Sequence, residues 1–250
     1  MPSPESLPAL VFQIERLTMR AWPALEEEWR DGWLLRAAQG YTGRANSVNP
    51  LGKATRPLPE KIAECEQWYA ARKLPTKFRL NPFSAPDTLE ATLAARGYER
   101  VDDALVMTAD LTPPADGKEV AGESVELSLA DWFAGKRPET VALQGAIIQR
   151  IQPTHWLMGW RCDGELVARG LGVVEDGWLG LFNVAVEPAH RRRGFGRALM
   201  AAMLRRAIEH GARRAYLQVV VENTAAIGLY TGMGFREAYR YWYRALDTSG

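Results

Sequence analysis

The run Arg191-Arg192-Arg193-Gly194-Phe195-Gly196-Arg197 joins an apolar strand pattern at 179–186 to an apolar-periodic stretch at 198–210. No other segment limits the fold as strongly. A strand that runs through a short turn into a helix, with another strand pattern at 215–221 after it, predicts a parallel crossover and therefore an α/β sheet. Gly194 and Gly196 let the backbone turn tightly and approach a ligand, while the first helical turn leaves amides unpaired and its dipole pointing outward. The arginines supply countercharge for an anion. The spacing is neither the Gly-x-Gly-x-x-Gly of a dinucleotide fingerprint nor that of a P-loop. It is Arg-x-x-Gly-x-Gly, which predicts a pyrophosphate cradle.

Composition narrows what that anion belongs to. A formal net charge of +1 argues against a nucleic-acid partner, because such domains usually carry a clear basic excess. The arginine cluster is therefore a local site. No apolar run has the length a membrane helix needs, and no secretory pattern opens the chain, so no membrane partner and a cytoplasmic location are expected. Cys65 and Cys162 lie far apart, and His155, His190 and His210 share no ligand spacing, so neither a disulfide nor a metal is indicated.

A polar Pro/Gly-containing stretch from Thr112 to Gly122 interrupts the apolar pattern and predicts a linker. The expected layout is a first domain at 1–111, a linker at 112–123 and a second domain at 124–250. In the second, strands are expected at 125–130, 154–161, 165–174, 179–186, 215–221 and 237–246, with helices at 139–151, after the cradle, and from Asn223. The first half repeats this order at an offset of 137: Leu93-Ala94-Ala95-Arg96-Gly97-Tyr98 falls on Tyr230-Thr231-Gly232-Met233-Gly234-Phe235, and Phe78-Arg79-Leu80 on Ala215-Tyr216-Leu217. In that register Pro57 and Pro59 stand where Gly194 and Gly196 do, and proline has no amide hydrogen to offer a phosphate. The first copy is expected to be degenerate and not to bind the cofactor. Trp22, Trp29, Trp33 and Trp68 are expected to build its core.

Three motifs occur in order: Phe182-Asn183-Val184-Ala185-Val186-Glu187-Pro188, then the cradle, then Asn223-x-x-Ala226-x-x-Leu229-Tyr230-x-x-x-Gly234-Phe235. Together they resemble the GNAT superfamily of N-acetyltransferases, with motifs most similar to the α-amino acetyltransferases of bacterial ribosomal proteins. The two-copy layout resembles mycothiol synthase, a tandem GNAT enzyme with one active half. The resemblance implies two GNAT-like α/β domains, each a mixed twisted sheet flanked by helices. It also implies acetyl-CoA as cosubstrate and an amine-bearing small molecule or peptide as acceptor. It assigns the pyrophosphate to Arg191, Arg192, Arg193, Gly194, Phe195, Gly196 and Arg197, and the pantetheine arm and thioester carbonyl to the backbone of Val184, Ala185 and Val186. Asn223 is implied at the arm or the substrate side.

Tyr230 is the expected general acid, since the departing thiolate needs a proton. The family's basic glutamate on the strand before the asparagine is here Gln218, which cannot take up a proton at neutral pH. Glu222 is the preferred base, with Glu187 and a water chain open beside it. A non-catalytic acyl-CoA sensing protein is the alternative, and neither the acceptor's identity nor the oligomeric state is fixed by these residues.

Overall fold

The computed structural model describes residues 6–112 and 120–246. In chain order the elements are α1 (Leu7–Ala21), β1 (Glu26–Arg30), β2 (Trp33–Ala37), β3 (Val48–Pro50), α2 (Leu58–Ala70), β4 (Lys77–Leu80), α3 (Leu89–Ala95) and β5 (Glu99–Asp110). The second half supplies β6 (Glu123–Glu126), α4 (Leu129–Phe133), α5 (Pro138–Ile148), β7 (Thr154–Cys162), β8 (Glu165–Glu175) and β9 (Trp178–Val186). It ends with α6 (Phe195–Glu209), β10 (Arg214–Val220), α7 (Thr224–Thr231) and β11 (Arg236–Ala245). The offset of 137 holds in the elements themselves. It separates the first residues of α2 and α6, of β4 and β10, and of β5 and β11.

Contacts group the chain into two compact units, and neither is a contiguous half. Unit 1 takes the described residues up to Leu105, then Ala142–Arg150 and those from Tyr239 onward; unit 2 takes Val106–Val141 and Ile151–Ala238. This division differs from the contiguous boundaries at 111 and 124, and residues 113–119 of the expected linker lie outside the described residues. The difference comes from the equivalent last strands, β5 and β11. β11 gives Tyr239–Ala245 to the unit built by the first half of the chain, and β5 gives Val106–Asp110 to the unit built by the second.

In unit 1 the strand order is β1-β2-β3-β4-β11. β11 lies antiparallel to β4, with Trp242 opposite Leu80 and Ala245 opposite Lys77. The side chains account for this placement. Arg79 on β4 is bound through two nitrogens to Glu15 at 2.9 and 2.7 Å, and its guanidinium stacks 3.5 Å over the Tyr241 ring. Tyr239 donates to the same Glu15 at 2.6 Å. A buried ion pair needs its remaining lone pairs satisfied, and β11 contributes to that. Trp33, Phe78 and Tyr98 meet edge to face in the core beneath. Trp22, Trp33 and Trp68 are buried as expected, but Trp29 is 63% exposed on β1. Strand alternation turns it outward, opposite in phase to the core-facing residues.

In unit 2 the order is β10-β9-β8-β7-β6, with only the β9–β10 pair parallel. The expected strand at 125–130 ends early. Ser128 accepts the Asp131 amide at 3.1 Å and starts α4, a side-chain cap that overrides the apolar pattern. The crossover from β9 through the arginine turn into α6 and on to β10 is present as expected.

Candidate active site

The site begins where β9 parts from β10. Against β8 the register runs from Glu175–Trp178 to Leu171–Phe182, slips, and resumes at Arg169–Ala185. The slip is a bulge around Asn183, whose φ of +52° places it in the left-handed region. Asparagine tolerates that conformation better than most residues, and a bulge re-aims the strand that follows it. On the opposite edge, pairing with β10 ends at Leu181–Leu217. The backbone of Val184, Ala185 and Val186 thus has an edge that β10 does not cover, and backbone groups on such an edge need partners.

A 3-10 turn at Pro188–His190 leads into the arginine run. Arg192 has φ +62° and Gly194 φ +89°, so two of three successive residues take the left-handed backbone of a tight turn. Gly194 is the N-cap of α6, no side chain caps the helix, and no acidic residue stands in its first turn. The first backbone bond into the helix runs from the Ala198 amide to the Gly194 carbonyl at 3.0 Å. The amides of Phe195, Gly196 and Arg197 are left without intrahelical acceptors. Gly196 serves a different need: a Cβ there would lie 3.2 Å from Val186 Cγ2 and 3.3 Å from Leu229 Cδ2. The first turn of α6 is wedged between the end of β9 and α7.

That wedge brings most of the sequence-derived residues together. Arg191, Arg192, Arg193 and Arg197 are exposed, while Phe195 and Gly196 are buried. Arg197 donates to the Gly232 carbonyl at 3.1 Å, tying the turn to the end of α7. Arg191 reaches the Val186 carbonyl at 3.4 Å. Tyr230, next to Leu229, has a ring only 8% exposed. Its hydroxyl makes no hydrogen bond among the described residues. Burial raises its pKa above the ordinary phenol value, which keeps the proton on the oxygen through neutral pH.

Other candidates stand apart. Asn223 is the N-cap of α7, its side chain accepting the Ala226 amide at 3.2 Å. Glu222 is exposed in the same loop, and no hydrogen bond or ion pair joins it to Tyr230 or the arginine turn among the described residues. Glu187 is held by Arg169 at 2.6 Å, so it is engaged rather than a spare carboxylate. Gln218 is half-buried on β10, one residue past its last pairing with β9. In the sequence the one signal of this bulge is an asparagine interrupting an apolar strand pattern.

Unit 1 shows what became of the other copy. α2 starts after Pro57, as α6 starts after Gly194. The loop before it, equivalent to Arg192 and Arg193, is Thr55-Arg56, and its amides already have an anion. Asp31, on the β1–β2 turn, accepts the Thr55 amide at 3.0 Å, the Thr55 hydroxyl at 2.6 Å, the Arg56 amide at 3.1 Å and Lys61 at 3.1 Å. These donors, the Thr55 hydroxyl foremost, hold its carboxyl well below the usual carboxylate range. Arg56 is drawn off by Glu64 and Glu60.

Comparison with known proteins agrees with this architecture. Residues 9–244 match the family model described as probable histone acetyltransferase Rv0428c C-terminal. The chain is 32% identical over 244 residues to the uncharacterized N-acetyltransferase YobR of Bacillus subtilis (strain 168), covering 94% of this chain and 98% of that one. Over 87 residues it is 43% identical to the ribosomal protein bS18 alanine N-acetyltransferase of Escherichia coli (strain K12), covering 34% of this chain and 59% of the relative. A solved tandem GNAT protein from the clavulanic acid biosynthesis pathway superposes with a TM-score of 0.61 at 14% identity, covering 100% of this chain and 92% of that one. Among the described residues no helix is long and apolar enough to cross a membrane. With residues 9–244 matched by that model and a relative 32% identical over 94% of the chain, the chain belongs to the GNAT family of N-acetyltransferases.

Proposed function

We propose that the protein transfers an acetyl group from acetyl-CoA to a primary amine directly, with both substrates bound beside the Val184–Val186 edge. One observation carries this: the open amides at Gly194–Arg197, the uncovered edge of β9 and the helix bearing Tyr230 are packed against one another through Gly196. The donor set fits the cosubstrate. Arginine-flanked amides suit a diphosphate, and a strand edge suits an arm that contains amides. When bound, acetyl-CoA supplies an acetyl group activated as a thioester.

The chain's residues then divide the work. The turn from Arg191 through Arg192, Arg193, Gly194, Phe195 and Gly196 to Arg197 holds the diphosphate, with Asn223 on the arm or substrate side. The Val184, Ala185 and Val186 backbone orients the arm and offers an N–H where charge grows on the acyl oxygen. Tyr230 holds a proton for the departing sulfur, and Glu222 receives one from the amine. A cysteine intermediate is disfavoured, because burial pushes the Cys65 thiol up to about 12 and raises that of Cys162.

Thioester cleavage measured against peptide N-termini, lysine, polyamines and aminoglycosides tests the reading. Turnover with any of them is the expected result. Cofactor binding with no turnover on the whole panel replaces it with the acyl-CoA sensing alternative. Glu222→Gln should abolish the limb of the pH–rate profile that reports the base; an unaltered profile removes Glu222 from that role. Because Asp31 fills the loop of unit 1 and Pro57 and Pro59 remove its amides, calorimetry should count one acetyl-CoA per chain. Two equivalent sites would contradict the degenerate copy.

A further inference from the structure

We propose that Glu165 and His190 form a relay that aims Arg193 at the cofactor's diphosphate, making His190 a positioning residue of the cradle. The proposal rests on the acetyl-CoA reading above and extends it to residues outside the cofactor motif. His190 closes the 3-10 turn between β9 and the arginine run, and its amide is fixed to the Glu187 carbonyl at 2.9 Å. Both ring nitrogens are engaged. Nε2 lies 3.2 Å from Glu165 Oε2, and Nδ1 lies 3.1 Å from Arg193 Nη1.

Chemistry sets the proton's place. A guanidinium can only donate, so Nδ1 must accept from Arg193; the ring proton is then on Nε2, donated to Glu165. The carboxylate selects the tautomer, and the tautomer offers Arg193 a lone pair. Beneath this chain the ring of Phe195, 3% exposed, sits 5.0 Å from the Arg193 guanidinium and 6.1 Å from the imidazole. Phe195 is the first residue of α6, so Arg193 is held over the helix start whose amides are open.

The contrast within the run sharpens this. Arg192 has no hydrogen-bond or ion-pair partner among the described residues, and Arg191 makes one long contact. Arg193 has one nitrogen held by His190 and its guanidinium 5.0 Å from the Phe195 ring centroid, with its other donors left for a ligand. An arginine loses rotamer freedom when ordered, and ordering it beforehand spares the ligand part of that cost. Stability does not explain the arrangement. Glu165 is 73% exposed, and a contact to so exposed a carboxylate contributes little.

The test uses the full chain with coenzyme A and, separately, inorganic pyrophosphate as probes. His190→Leu should weaken binding of both about tenfold, the scale of one charge-assisted contact, and the loss should fall in KM for acetyl-CoA rather than in kcat. His190→Asn, whose side-chain oxygen stands near the Nδ1 position, should recover most of it. Arg193→Ala should lose at least as much, and the double variant His190→Leu/Arg193→Ala should bind no worse than Arg193→Ala alone. Additive losses, or binding of both probes indifferent to His190, would overturn the relay. Pyrophosphate binding that depends on His190 in a protein that ignores acetyl-CoA would keep the relay and remove the cofactor assignment. Binding of neither probe removes both.

Discussion

Tyr230→Phe should lower kcat by about 10²- to 10⁴-fold, the range for removal of one general acid, with binding of acetyl-CoA little changed. The substitution keeps the ring that packs 6.2 Å from Phe235 and removes only the hydroxyl. Since that hydroxyl bonds to nothing among the described residues, its loss leaves no buried partner stranded and the fold should not suffer. The sign of the pH effect follows from burial. A raised pKa keeps the acid form populated past the ordinary phenol value of about 10, so wild-type activity should not fall through loss of this proton until above it. Steady-state rates from neutral to alkaline pH check both parts. A kcat within twofold of wild type in the Phe variant would take Tyr230 out of the chemistry.

A chain cut to residues 124–250 should fail to fold, although it contains every cofactor and catalytic candidate. Unit 2 includes Val106–Asp110 of β5, and the cut removes it. That strand is also tied to the start of β10, through Leu111 donating to the Arg213 carbonyl at 2.7 Å. The same cut strips β11 of β4, exposing Tyr239, Tyr241 and Tyr243, each less than a tenth exposed in the full chain. Burying one large apolar side chain is worth about 1.5–3 kcal/mol, and a whole domain has only about 5–15 kcal/mol to lose. The fragment should show no cooperative thermal transition and no near-ultraviolet dichroism. A cooperative melt from 124–250 alone would show that the exchanged strand is dispensable.

How far the sequence led depends on the range of the forces involved. The glycine turn, the bounding strand and helix, and the 137-residue repeat are local patterns, and the elements match them to within a few residues. The resemblance to the GNAT family rested on three such local motifs and held. What escaped was set at long range. Nothing near Tyr239 or Tyr241 indicates that their partners are Glu15 and Arg79, because an ion pair between residues so distant leaves no period in the sequence. Residue type alone places Trp29 in the core, and strand phase turns it outward. The bulge at Asn183 depends on where β8 slips, a matter of pairing rather than of the strand itself. The spacing of His190 suits no metal, and its partners are instead a carboxylate far from it and an arginine beside it in the chain.

Asp31 has one more consequence. A protein loop that waits for a metabolite borrows stability from it, in an amount that grows with the metabolite's concentration relative to its dissociation constant. On the acetyl-CoA reading proposed above, the turn that ends at Gly194 is of that kind. The loop at Thr55-Arg56 carries its anion on the same chain, where the effective concentration never changes. In a cell whose acetyl-CoA level rises and falls, the second copy should firm and loosen with metabolic state while the first holds constant. Hydrogen exchange across a cofactor titration would then slow at α6 and leave α2 as it was.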